Sequence, residues 1–250
     1  MTAEYYILCE GYHDRAFWKG LLLHIGCTDP SNEGRQSVVD PWKKSVRGGQ
    51  YAFISPSGRF IRLVAVGGDR NLLHNQFRHR VDKRHIEKLY GLIVSADADV
   101  HNDDELIRVS LPVVSQWALE IDPSRAEIES HVVLSDETPI SVLTWMTNTA
   151  ENSLGVPAKQ TLERMVCSAI VAAYGERGRP VEEWLASRPN PPVHDSPKAH
   201  AFSYVAGWYA ASASYEGAIA SIWRDQRVAK VLVQMLEDQP AWLTIRDWLT

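Results

Sequence analysis

Short apolar runs, each closed by a glycine or an acid, alternate along this chain with stretches whose apolar residues recur at helical spacing. The first run, Tyr5-Tyr6-Ile7-Leu8-Cys9, breaks at Glu10-Gly11. Phe17, Leu21, Leu22 and Ile25 then repeat at three- and four-residue intervals, which predicts a helix over 15–25. Residues 28–50 are polar and carry Asp29-Pro30-Ser31-Asn32, Asp40-Pro41 and Gly48-Gly49, the chemistry of a long loop. Tyr51-Ala52-Phe53-Ile54, the turn Ser55-Pro56-Ser57-Gly58 and the run from Arg59 to Val66 predict a strand, a turn and a longer strand. The stretch 28–58 is thus expected to be an insertion of loop and hairpin. Residues 70–89 are expected to be helical with Leu73, Phe77 and Ile86 on the apolar side. Leu92-Ile93-Val94 is the next buried strand, closed by Asp97-Ala98-Asp99, and 104–119 reads as a helix interrupted near Pro112.

The second half is less regular. Val132-Val133-Leu134 and the alternating Ile140-Ser141-Val142-Leu143-Thr144-Trp145 are expected strands, and a helix is expected near 159–174. Residues 175–197 are rich in proline and charge and predict an extended linker or lid. Helices are expected from Lys198 onward, with Trp208, Trp223, Trp242 and Trp248 as packing anchors. Alternating elements of this kind give an α/β class with a central, mostly parallel sheet flanked by helices. The division expected is a catalytic domain over 1–205 and a helical extension over 206–250 packed on it.

Composition narrows the function more than the fold. The 250 residues are 45% hydrophobic and 23% charged, which suits one globular domain, or one with an appendage. No apolar run approaches the roughly 18 residues of a membrane span, and no basic-then-apolar signal precedes the first strand. Cys9, Cys27 and Cys167 are odd in number and widely spaced, so neither a disulfide framework nor a zinc spacing is visible, and a reducing cytoplasm is expected. The net charge of −5 argues against a protein that coats nucleic acid. The charge is uneven, however: residues 1–100 carry 14 Lys and Arg against 11 Asp and Glu.

The chemistry lies in the carboxylates. If Ile7 and Leu8 are in a parallel strand, Glu10 sits at its carboxyl end, where open α/β sheets place their ligand crevice. Asp14, about one helical turn on, faces the same crevice. Asp97 and Asp99 end a second apolar strand, and parallel pairing of the two strands would gather all four acids. Close like charges need a cation, and Mg²⁺ or Mn²⁺, held by oxygen ligands, is the natural one. Two such ions can act on both the attacking and leaving oxygens of a phosphodiester displacement.

The order apolar strand, Glu10-Gly11-x-x-Asp14, helix, then Val66-Gly67-Gly68, then apolar strand and Asp97-x-Asp99 resembles a TOPRIM domain. The fold is shared by topoisomerases, primases and the OLD (overcoming lysogenisation defect) family nucleases. Topoisomerases and primases usually carry a glycine shortly after the paired aspartates, where this chain has Val100-His101-Asn102-Asp103. The Glu-x-x-x-Asp spacing resembles the OLD branch, in which a Ser/Thr-x-Glu element and a downstream lysine complete the site. Thr161-Leu162-Glu163 matches the first and Lys198 stands for the second. The resemblance covers about residues 4–205, and no P-loop ATPase motif accompanies it. It implies that Glu10, Asp14, Asp97, Asp99 and Glu163 share two metal ions. Thr161 would help hold a metal-bound water, Glu10 would also act as general acid or base, and Lys198 would neutralise charge on the scissile phosphate. It further implies a divalent-metal-dependent endonuclease acting on DNA or RNA, tRNA included, as an anti-phage effector controlled by a separate ABC-type ATPase. A catalytically silent TOPRIM module that binds a partner or nucleic acid is the alternative.

Other signals stay open between two readings. Arg70, Arg78, Arg80, Lys83 and Arg84 on the helix over 70–89 form either a phosphate-tracking surface or a solvated face diluted by Asp82 and Glu87. Trp42, Lys43, Lys44 and Arg47 would extend such a path, and Asp103 is either a metal ligand or a helix cap. The nine histidines lack ligand spacing, so zinc is not expected. The Trp-rich tail is a candidate surface for a partner or a homo-oligomer.

Overall fold

The structure is a computed structural model and describes residues 4–30, 50–68, 70–99, 131–134, 137–150, 152–189, 196–208 and 215–250. In chain order the described elements are β1 (Glu4–Cys9), α1 (Tyr12–His24), β2 (Gln50–Ile54), β3 (Phe60–Ala65), α2 (Arg70–Glu87), β4 (Leu89–Asp97), β5 (His131–Val133) and β6 (Pro139–Trp145). The helices α3 (Leu162–Ala173), α4 (Gly178–Ala186), α5 (Pro197–Trp208), α6 (Tyr215–Ser221), α7 (Gln226–Glu237) and α8 (Pro240–Leu249) follow. The strands form one six-stranded sheet in the order β2-β3-β1-β4-β6-β5. At its centre β1 pairs in parallel with β3 and with β4, placing Cys9 opposite Ala65 and Ser95. Both edges are antiparallel, β2 on β3 and β5 on β6. The β2–β3 hairpin closes on the Ser-Pro-Ser-Gly turn: Ser55 N–H donates to Arg59 O, and Ser55 Oγ accepts from Arg59 N–H. The expected α/β architecture with a helical C-terminal region is therefore present.

Two compact units divide the chain, one made of 1–96, 111–143 and 240–250, the other of 97–110 and 144–239. The helix α8 belongs to the first unit. In the first unit strand alternation decides which helix covers which face. Tyr6, Leu8, Leu92 and Val94 point to the side of α2, where Leu73, Phe77 and Val81 join them in one buried cluster. Residues of odd number face α1 and α8: Trp18 of α1 donates to Ser95 Oγ at 2.8 Å and lies 6.4 Å from Trp242, and Trp248 stacks on Tyr5 at 5.9 Å. Each fully buried Leu, Ile or Phe here contributes on the order of 1.5–3 kcal/mol. In the second unit α3 is buried over its first nine residues and packs against α5 and α7. Asp225 caps α7 by accepting from Arg227 N–H and Val228 N–H, and Val228, Ala229, Leu232 and Leu236 give that helix one buried stripe.

Several expectations change. Ile86 is 76% exposed, because the buried positions of α2 repeat every fourth residue through Leu73, Phe77 and Val81, and Ile86 falls outside that stripe. Residues 175–186 are no extended linker: Gly175–Arg177 form a 3-10 turn and α4 follows at once, burying Val181 and Leu185 despite its charge. Trp223 and Trp242 are buried and Trp248 is half-buried against Tyr5, as packing anchors should be. The expected helix over 104–119, most of the polar loop, and Trp42, Lys43, Lys44, Arg47 and Asp103 lie outside the described residues.

Candidate functional site

Glu10 follows the last residue of β1, and its main chain is fixed from two sides. Gly68 N–H donates to Glu10 O at 2.7 Å, and Val66 N–H donates to Cys9 O at 3.0 Å. Gly67 and Gly68 carry φ of 105° and 83°, so this turn after β3 needs residues without a Cβ to reach across to β1. Gly11 then caps α1: its N–H donates to Asp14 Oδ2 at 3.1 Å, and its carbonyl accepts from Arg15 N–H at 3.1 Å. Asp14 is thus buried in the first helical turn, where the helix dipole favours a carboxylate. Beside it the Cys9 thiol is wholly buried and donates to Val64 O at 3.3 Å. Burial, reinforced by the Asp14 charge, pushes that thiol well above its ordinary pKa. Arg15, also buried, stacks its guanidinium on Tyr12 and Tyr51 at 4.9 and 4.8 Å.

In the second unit the Asp-x-Asp and Thr-x-Glu elements come together. Asp97 Oδ1 accepts from Leu162 N–H at 2.8 Å, across 65 positions of sequence. Asp97 therefore satisfies one of the four orphan amides at the start of α3. Thr161 is the N-cap of that helix, its Oγ1 accepting from Arg164 N–H at 3.3 Å, and Glu163 is buried in the first turn. Asp99 N–H donates to Gln160 O at 3.0 Å, and Asp99 Oδ1 lies 2.5 Å from Lys159 Nζ. The Asp99 φ of 61° is left-handed, which an aspartate tolerates when its surroundings hold it. Gln160 anchors this strap: its amide accepts from Thr147 N–H at 3.0 Å and donates to Thr147 O at 3.1 Å, fully buried. Arg164 donates to the carbonyls of Pro157 and Thr149, fixing the loop that leads into α3.

The structure thus gathers Asp97, Asp99, Thr161 and Glu163 around the start of α3, and Glu10 with Asp14 around the start of α1. Lys198 is exposed on the first turn of α5, and among the described residues no ion pair joins it to these acids. Of the basic helix residues, Arg78 and Lys83 are exposed, whereas Arg80 stacks on buried Tyr6 at 4.4 Å and Arg84 donates to Val81 O. Arg80 and Arg84 are therefore held in part by packing rather than extended as a solvated face. Arg70 begins that helix. Lys159, Gln160 and Arg164 carried no signal in the sequence, since nothing local links 159–164 to 97–99.

The donor chemistry fits a hard cation, for every candidate ligand offers carboxylate or hydroxyl oxygen. Among the described residues, however, no three His, Cys, Asp or Glu side chains are assembled into a ready-made metal site. Asp97 Oδ1 serves the α3 amide and Asp99 Oδ1 the Lys159 ammonium.

These observations define an α/β protein whose acids gather at the starts of two helices. No family model matches the chain, and no curated protein matches it. A solved structure, the crystal structure of a hypothetical protein from Pyrococcus horikoshii OT3, is similar over 100% of this chain and 99% of that one. The TM-score is 0.65 at 14% identity, so the likeness speaks for the fold. Among the described residues no helix is long and apolar enough to cross a membrane.

Proposed function

We propose that this protein is a divalent-metal-dependent endonuclease of the TOPRIM type, resembling the OLD-family nuclease domain. The observation that carries the reading is the hydrogen bond from Leu162 N–H to Asp97 Oδ1. It joins the paired aspartates to the Thr-x-Glu element, two motifs that only the family resemblance links in sequence. In this proposal Asp97, Asp99, Thr161 and Glu163 hold Mg²⁺ or Mn²⁺, and the resemblance alone adds Glu10 and Asp14 to the ligand set. When bound, such ions supply Lewis acidity at the oxygens of a scissile phosphodiester. Glu10 is the general acid or base, and Lys198 approaches the phosphate to offset its charge. Arg78 and Lys83, exposed on α2, track the DNA or RNA backbone. The three cysteines are free and buried, in keeping with a reducing cytoplasm. An ABC-type ATPase on a separate chain and self-assembly are the proposed means of control, in an anti-phage role.

A silent TOPRIM-type binding module is the second reading, and the commitment of Asp99 to Lys159 favours it. Cleavage separates the two. Plasmid, single-stranded DNA and tRNA are incubated with Mn²⁺ and either the parent protein or Glu10→Ala. The nuclease reading expects cutting of at least one substrate that stops in the variant and on chelation. Equal cutting by both proteins, or none by either, favours the silent module.

A further inference from the structure

Resting on the metal-centre reading above, we infer that Lys159 is a resident counter-charge that competes with the divalent cation for Asp99, and so sets how tightly the site takes metal. The strap 159–162 meets 97–99 at three points. Asp99 N–H donates to Gln160 O, Asp97 Oδ1 accepts from Leu162 N–H, and Lys159 Nζ sits 2.5 Å from Asp99 Oδ1. The first two involve main chain and are backed by the buried Gln160–Thr147 clamp, so they hold the aspartates in place whatever occupies the site. Of these three, the third is the contact between two flexible side chains, and it can exchange. Both of its side chains are about one-third exposed, at 34% and 29%, so the ammonium can swing into water on its four-carbon stem. The main chain of Asp99 lies in the left-handed region and is tied down by its N–H to Gln160 O at 3.0 Å.

An ammonium and a dication repel each other, and both favour the same carboxylate oxygen. Metal entry at Asp99 therefore breaks this ion pair and leaves a mobile positive charge beside the site, where a polyanionic substrate can use it. Lys159 is on this account a positioning residue: it acts on the cation through Asp99 and touches no reacting atom.

The test is a Mn²⁺ titration of the full chain followed by the EPR signal of free Mn²⁺, with no nucleic acid present. Lys159→Ala should bind Mn²⁺ roughly two- to fivefold more tightly than the parent, the scale of a partly exposed ion pair. Lys159→Arg should restore parent-like affinity. The gap between Lys159→Ala and the parent should shrink as NaCl is raised, because the pair is screened while a packing effect is not. Parent-like or weaker Mn²⁺ binding by Lys159→Ala overturns the inference and leaves the metal-centre reading standing. Absence of Mn²⁺ binding by both proteins overturns the metal-centre reading, and the inference with it. Should the alanine variant fail to fold by circular dichroism, Lys159→Gln takes its place with the same expectations.

Discussion

Asp97 has a structural task and a proposed chemical one, and two substitutions separate them. Its Oδ1 accepts the Leu162 N–H at 2.8 Å, and Leu162 is buried. Asp97→Ala removes the acceptor and leaves that amide at the start of α3 without it. Losing a capping interaction of this kind costs about 0.5–2 kcal/mol, and a charged acceptor puts the effect toward the upper end. Asp97→Asn keeps an oxygen in the same place and loses only the charge. The lost attraction to the α3 dipole is worth about 0.3–1 kcal/mol. Relief of repulsion from Asp99 and Glu163 offsets part of that. The alanine variant should therefore be about 1 kcal/mol less stable than the asparagine variant. Urea unfolding followed by Trp fluorescence measures this as a shift in midpoint at unchanged slope. Both variants should lose Mn²⁺ binding alike, because a neutral amide is a poor ligand for a hard cation. An alanine variant as stable as the asparagine variant would refute the capping role, and with it the bond that joins the two motifs.

Two further outcomes follow from packing and burial. Arg78→Ala with Lys83→Ala, both exposed, should leave stability unchanged and lower the salt slope of nucleic-acid binding by about 2, whereas Arg80→Ala, which loses its stack on Tyr6, should cost about 0.5–2 kcal/mol of stability. An unchanged salt slope removes α2 from the binding surface. Burial pushes the Cys27 thiol up from 9.0 to about 12, so the unfolded chain gives up this proton first. The stability it contributes is complete below about pH 9 and is lost as the pH climbs toward 12. Cys27 alkylation, resolved by mass spectrometry, should quicken about tenfold per pH unit between 8 and 11. A flat profile contradicts the shift.

The sheet was legible because its central strands are short, largely apolar runs with abrupt polar ends. Tyr5 to Cys9 and Leu92 to Ala96 are buried on both faces, as parallel central strands must be. Glu10 and the Asp97-x-Asp99 pair were legible for the same reason, since they mark the ends of β1 and β4. What was hidden depends on contacts between distant segments. Nothing near Lys159 or Gln160 marks them as partners of Asp99 and Thr147, and only the fold brings 159–162 onto 97–99. Composition misled at 175–186, where charges and Pro180 suggested a linker. Pro180 in fact sits in the first turn of α4, where its missing N–H costs little. Ile86 misled in the opposite sense, because one apolar residue in a charged helix fits several periodicities until Val81 fixes the buried stripe.

The most direct measurement is anomalous scattering from a crystal of the protein soaked in Mn²⁺, collected above the manganese edge, beside an identically treated crystal of Asp97→Asn. A manganese peak in contact with the carboxylates of Asp97 and Glu163 is expected in the parent and none there in the variant. A parent crystal with no peak at these residues, or a peak that survives Asp97→Asn, would contradict it.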